Sequence, residues 1–131
     1  MENLRIETSL RHLDGIPVLD VVGEIDIYTT PQFKQAVRVA IDEGIPSIII
    51  NMARVTYMDS SGFGTLLSAT KRLRTVDGAL YLTGCNEAIS RMLQITRLNT
   101  IFGIHPDEKS ALAAAEERVR PSQSSATAVT A

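Results

Sequence analysis

At 131 residues the chain is expected to form one domain, long enough to bury about two-thirds of the surface its unfolded form exposes. Hydrophobic residues make up 44% and charged residues 21%, which are globular values, and a net charge of −2 gives no electrostatic reason to expect nucleic acid. No signal-peptide pattern opens the sequence, no apolar run approaches the roughly 20 residues that span a bilayer, and the lone Cys85 can close neither a disulfide within the chain nor a cysteine-based metal site. The expected setting is therefore a reducing cytoplasm, with no membrane, metal or cofactor.

Leu4, Ile6, Thr8 and Leu10 alternate with Arg5, Glu7, Ser9 and Arg11, the period of a half-buried strand. Asp14-Gly15 is a tight-turn signal, and a second strand is expected from Ile16 to about Val22 to complete an antiparallel hairpin. Gly23-Glu24-Ile25-Asp26-Ile27-Tyr28 then reads as a loop. Thr30-Pro31 opens a helix, with Thr30 as N-cap, and Phe33, Ala36, Val37, Ala40 and Ile41 form its apolar stripe. Gly44 and Pro46 end it. Ser47 to Asn51 is a strand whose unbroken isoleucines imply burial on both faces, and residues 52–58 lead to the next turn.

That turn is Asp59-Ser60-Ser61-Gly62. A helix follows at once, with Phe63, Leu66, Leu67 and Thr70 on one face, ending near Thr75 with Lys71, Arg72 and Arg74 suitably placed for its dipole. Chemistry alone leaves two readings of the turn open. Asp and Ser are good N-caps, and a cap needs nothing further. Alternatively, one serine is a phosphorylation site held at the positive end of a helix. Beyond it come an Asp77-Gly78 turn, a strand at Ala79–Thr83, a loop at Gly84-Cys85-Asn86, a short helix carrying Ile89, Met92 and Leu93, and a marginal strand from Ile101 to Ile104. Asp107 caps a last helix with Leu112, Ala115 and Val119 on one face. Pro121 stops the pattern, so residues 1–120 are expected to be the domain and 121–131 a disordered tail. His12 and His105 read as loop or strand-end residues.

Strands alternating with helices mean right-handed crossovers and a mostly parallel sheet. The expected fold is α/β: a four- to five-stranded mixed sheet with an antiparallel N-terminal hairpin and about four helices. In such sheets sites gather beyond the carboxyl ends of the parallel strands, so the Asp26 loop and the Ser60 turn should lie side by side.

Three stretches carry a resemblance to a known family. Val55-Thr56-Tyr57-Met58-Asp59-Ser60-Ser61-Gly62-Phe63-Gly64 is similar to the signature turn of STAS domains of the bacterial anti-sigma factor antagonist type. Gly23-Glu24-Ile25-Asp26 resembles their early loop. Leu93–Leu98, Ile101-Phe102, His105-Pro106-Asp107 and the Ala-rich helix resemble their C-terminal part. The resemblance spans about residues 4–118. It implies partner switching: the unphosphorylated protein binds an anti-sigma factor that is also an ATP-dependent serine kinase, the sigma factor is released, phosphorylation ends the binding, and a protein serine phosphatase restores it. The acceptor implied is Ser60, directly after the motif aspartate, with Ser61 the less favoured neighbour. The implied partner-binding set is Glu24, Asp26, Tyr28, Asp59, Ser60, Ser61 and Gly62. The alternative is a STAS scaffold subunit of a stress-signalling or lipid-transport assembly.

The sequence departs from the family pattern at two places. Phe63 stands where smaller aliphatics are usual, and Arg97 replaces a common Gly before the last strand. If position 97 requires positive φ, the turn there must differ. No catalytic residue is expected. The turn lacks a G-x-S-x-G elbow, and neither His12 nor His105 has an evident orienting group.

Overall fold

Two left-handed residues close the opening hairpin. In the computed structural model, which describes residues 5–119, β1 (Ile6–Leu13) and β2 (Ile16–Ile25) pair antiparallel from Ile6↔Gly23 to Leu13↔Ile16. Asp14 (φ 51°) and Gly15 (φ 84°) form the turn between them. Positive φ at both central residues gives a turn whose twist matches that of the strands, and Asp and Gly tolerate it best.

The chain continues as α1 (Thr30–Ile41), β3 (Ser47–Met58), α2 (Ser60–Arg74), β4 (Ala79–Thr83), α3 (Glu87–Ile95), a 3-10 turn at Leu98–Thr100, β5 (Gly103–His105) and α4 (Glu108–Val119). The strands lie in sequence order, β1-β2-β3-β4-β5, antiparallel at the first pairing and parallel at the other three. This is the expected α/β fold with a five-stranded mixed sheet and four helices.

The isoleucine run of β3 explains how two layers close on one sheet. Ile48 and Ile50 pack with Leu19, Leu80, Leu82, Phe33 and Leu66 on the side covered by α1, α2 and α3. Ile49 points the other way, against Val18, Tyr81, Ala111 and Ala115 beneath α4. All three are fully buried, each contributing about 1.5–3 kcal/mol of transfer free energy. On α4 the inward positions are Ala111 and Ala115, with Leu112 packed at the margin, so small side chains let that helix sit close. The side chain of Val119, Leu4 and the expected tail at 121–131 fall outside the described residues.

Several boundaries differ from the sequence reading. β2 runs on to Ile25 and β3 to Met58, because parallel pairing continues through Gly23↔Val55, Glu24↔Tyr57 and Ile25↔Met58, with register shifts that bend both strands. Gly23 is thus a strand residue: its φ is 116°, and a Cβ there would lie 2.0 Å from the Arg5 carbonyl oxygen. Thr30 begins α1 and Pro31 follows it, while the cap position is Thr29. β5 is Gly103–His105, since Ile101 and Phe102 are still closing the 3-10 turn on the Leu98 carbonyl. On α3 only Ile89 and Leu93 are buried and Met92 is exposed, and on α2 Leu67 is half-buried beside a core made by Phe63 and Leu66. Arg97 takes the left-handed conformation (φ 63°), so the turn keeps the geometry a glycine would give and pays for it in strain.

Candidate functional site

The carboxyl ends of β2 and β3 are stitched together: the Asp59 amide donates to the Ile25 carbonyl at 3.0 Å. Each strand therefore delivers its following loop to the same place. After β2 the carboxylate of Asp26 accepts the Tyr28 and Thr29 amides, at 2.9 and 3.0 Å, and holds the loop into α1. After β3 the carboxylate of Asp59 accepts the Ser61 amide at 2.9 Å and caps α2, while the Ser61 hydroxyl also donates to it. A 2.8 Å contact between the Ser61 and Thr30 hydroxyls ties the two helix starts to each other.

The two serines of the turn differ sharply. Ser61 is part-buried and bonded to both Asp59 and Thr30. Ser60 is exposed, and its hydroxyl has no hydrogen-bond partner among the described residues. It stands at the first position of α2, where free amides and the helix dipole favour an anion. Gly62 does something other than the sequence suggested. It is buried, and a Cβ there would lie 2.5 Å from Met58 Cγ and 2.8 Å from Ile25 Cγ2, so its small size lets α2 press onto the strand ends.

Around Ser60 the charge is mostly negative. Hydrogen bonding from the Ser61 hydroxyl, and then from the Ser61 and Gly62 amides, outweighs burial and the nearby Asp26 and holds Asp59 below the usual carboxylate range. For Asp26, lost solvent works upward, but the Thr29 and Tyr28 amides and the Arg5 guanidinium together prevail and its pKa also falls. Both are ionised at neutral pH. Arg5 pairs with Asp26, lies 3.9 Å from Glu24 and sits over the Tyr28 ring at 5.9 Å. The end of the sheet thus carries three carboxylates against one guanidinium.

Exposed apolar side chains frame this charge: Tyr28 is 82%, Ile27 67% and Tyr57 52% exposed. Tyr28 belonged to the expected set. Ile27 and Tyr57 were missed: strict alternation from buried Val55 turns Tyr57 inward, and the register shift between Gly23 and Glu24 that turns it out is visible only in the pairing with β2.

Elsewhere the chemistry is sparse. His12 does have an orienting carboxylate, Glu43 at 2.7 Å, contrary to the sequence reading, but it lies near the hairpin turn, at the opposite end of the sheet from Ser60. His105 ends β5 beside the Tyr81 ring. Burial pushes the Cys85 thiol up to about 11, which keeps it protonated and unreactive. Among the described residues no group of His, Cys, Asp or Glu is arranged to hold a metal, and no helix is long and apolar enough to cross a membrane.

The fold is a small α/β domain in which an exposed helix start lies beside a bent strand end. The STAS domain family model matches residues 7–111, and the chain belongs to that family. An anti-sigma-B factor antagonist of Staphylococcus epidermidis is 37% identical to it over 103 residues, 79% of this chain and 94% of that one. The crystal structure of an anti-sigma factor antagonist from Mycobacterium paratuberculosis matches with a TM-score of 0.78 at 28% identity, covering 85% of this chain and 94% of that one. The anti-sigma factor antagonist SpoIIAA in its unphosphorylated form shares the fold, with a TM-score of 0.67 at 24% identity over 80% of this chain and 93% of its own.

Proposed function

We propose that this chain is an anti-sigma factor antagonist controlled by phosphorylation of Ser60. Unphosphorylated, it binds an anti-sigma factor that is an ATP-dependent serine kinase and so releases the sigma factor. Phosphorylated, it no longer binds, and a protein serine phosphatase returns it to the active form. It works in the cytoplasm and has no catalysis of its own. The relatives' names support the general role. The contrast between the two serines carries the choice of residue: an exposed, unbonded hydroxyl at Ser60 can enter a kinase active site, whereas that of Ser61 is engaged inside the domain.

The switch follows from charge. A phosphate adds roughly −1.5 to −2 charge at neutral pH. The α2 N-terminus offsets part of it, by about 0.3–1 kcal/mol, so the modified domain stays folded. In a closed interface the same anion is desolvated and faces Asp26 and Asp59. A penalty of about 3–4 kcal/mol, the size seen when a buried charge is left unpaired, lowers affinity by a few hundredfold. Tyr28, Tyr57 and Ile27 supply apolar contact around that point, with Glu24 and Asp26 at the rim.

The test is incubation with ATP and a candidate anti-sigma kinase, followed by phosphosite mapping. Modification at Ser60, abolished in Ser60→Ala with binding retained, is the expected result. Modification at Ser61 in the intact protein would sink the assignment.

A further inference from the structure

We propose that a second copy of this chain pairs with the open edge of β1, giving a two-fold dimer with a continuous ten-stranded sheet. β1 is an edge strand of eight residues, and its ladder fixes which groups are spare. The Glu24 amide donates to the Arg5 carbonyl, so the odd residues of β1 spend their backbone groups on β2. The even residues Ile6, Thr8, Leu10 and His12 turn theirs outward. Among the described residues only the Ile6 carbonyl finds a partner, a long 3.5 Å contact from Gln32 Nε2. Such an edge is a template for another strand.

The side chains choose the partner and the register. An antiparallel copy must match even residues with even residues in the hydrogen-bonded pairs. Centring the axis on Ser9 does this, with Thr8 opposite Leu10 of the second copy and Ile6 opposite His12. It also sets Glu7 opposite Arg11 twice, in the non-hydrogen-bonded positions where side chains come closest. Glu7 is exposed and has no ion pair among the described residues. Arg11 commits Nε and Nη2 to Asp20 and Glu108 and leaves Nη1 spare. Moving the axis to Thr8 puts Arg5 against Arg11; moving it to Glu7 or Arg11 puts like charges on the axis itself. Centring on Leu10 leaves Glu7 opposite Leu13 and Arg11 opposite Ser9, and centring on Ile6 sets Glu7 against Arg5, already paired with Asp26, over a shorter overlap. The Ser9 register is thus the one in which a long overlap and an available pair of unlike charges coincide, as a two-fold contact favours.

An independent feature lies on α1. Gln32, Ala36, Val39 and Glu43 follow at spacings of four, three and four, one stripe down the helix and just beyond its end. Both ends of the stripe reach β1, Gln32 to the Ile6 carbonyl and Glu43 to His12, so the stripe overhangs the open edge. At its middle Val39 is 48% exposed, an apolar side chain with nothing over it. The axis that pairs the two edges sets α1 beside its copy, and Val39 with Ala36 fills the space between them. The two Ser60 turns end at opposite poles of the extended sheet, so pairing leaves both free. The contact is small, which puts its dissociation constant at about micromolar or weaker.

Analytical ultracentrifugation of the full chain, from a few micromolar to about a millimolar, reads the dimer directly. Val39→Lys and Glu7→Arg are expected to weaken it at least about tenfold without changing the circular dichroism spectrum. Thr8→Pro removes an outward amide and is expected to give a monomer. Cross-linking reads the register. In a Cys85→Ser background, Ser9→Cys faces itself across the axis at about 4.5 Å between Cα atoms, within disulfide range, whereas two copies of Glu7→Cys stand about 14 Å apart. A covalent dimer from Ser9→Cys and none from Glu7→Cys supports the proposal. A chain monomeric throughout that range, a dimer indifferent to Val39→Lys and Glu7→Arg, or equal cross-linking at both positions overturns it.

Discussion

Replacing Gly62 with Ala tests how the start of α2 is seated. The added Cβ falls 2.5 Å from Met58 Cγ, 2.8 Å from Met58 Sδ and 2.8 Å from Ile25 Cγ2, all inside contact distance. Met58 is flexible and gives way readily, but Ile25 is β-branched and fixed at the end of β2, so the helix start must lift. Overpacking of this kind costs about 1–3 kcal/mol. Ala returns part of that as helix propensity, up to about 1 kcal/mol over Gly at interior positions and less in a first turn. The expected net loss is about 1–2 kcal/mol, read as a lower urea midpoint with an unchanged slope, or as a fall of roughly 3–8 °C in melting temperature. In a Met58→Ala background the same substitution should cost less, with a coupling of at least about 0.5 kcal/mol. A Gly62→Ala protein as stable as the parent, or strictly additive effects, would refute the claim that close packing rather than partner access sets this residue.

Arg97→Gly should stabilise the domain by about 0.5–1 kcal/mol, because Arg97 is held at φ 63° where glycine bears no strain; thermal melts read this, and a lower melting temperature would contradict it. Acid should destabilise the domain through carboxylates whose pKa values lie below the ordinary 3.8 when folded: Asp59 and Asp26 as described, Asp20 through its hydrogen bonds from Arg11, and Asp107 through the Ser110 amide. Their contribution is complete above about pH 5 and is lost as pH falls through their depressed values, since the unfolded chain binds the protons first. Urea midpoints between pH 7 and pH 3 should therefore fall on acidification, less steeply in Asp20→Asn, and a flat profile would exclude these groups. Tyr28→Ala and Tyr57→Ala should each weaken binding to the anti-sigma factor by about 1–3 kcal/mol while leaving the melting temperature nearly unchanged; wild-type affinity in both would remove the aromatic rim from the interface.

The fold was legible because its strongest signals are local. Asp14-Gly15 fixes the hairpin, Ile48-Ile49-Ile50 fixes a strand buried on both sides, and the Phe33 stripe fixes α1. What the sequence hid is non-local. The ends of β2 and β3 exist because two strands far apart in the chain pair beyond Gly23, which no window of one strand reveals. The N-cap of α1 was misplaced by one residue: the Thr29 carbonyl accepts the Gln32 and Phe33 amides and so starts the helix, on a loop that the Asp26 carboxylate holds through the Tyr28 and Thr29 amides. At the site, the family resemblance favoured Ser60, but the physical difference between the serines was not legible: it rests on exposure and on the contacts of Ser61 with Asp59 and with Thr30, 31 residues earlier. The close packing of Gly62 was hidden because Ile25, which crowds it together with Met58, lies far off in the chain, where periodicity does not report it.

Titration calorimetry of the intact protein and of Ser60→Asp against the anti-sigma factor weighs the whole account most directly. A charge-operated helix start predicts binding at least about a hundredfold weaker for Ser60→Asp, with both proteins melting at nearly the same temperature. Equal affinity for the two would mean that an anion at this position does not govern docking.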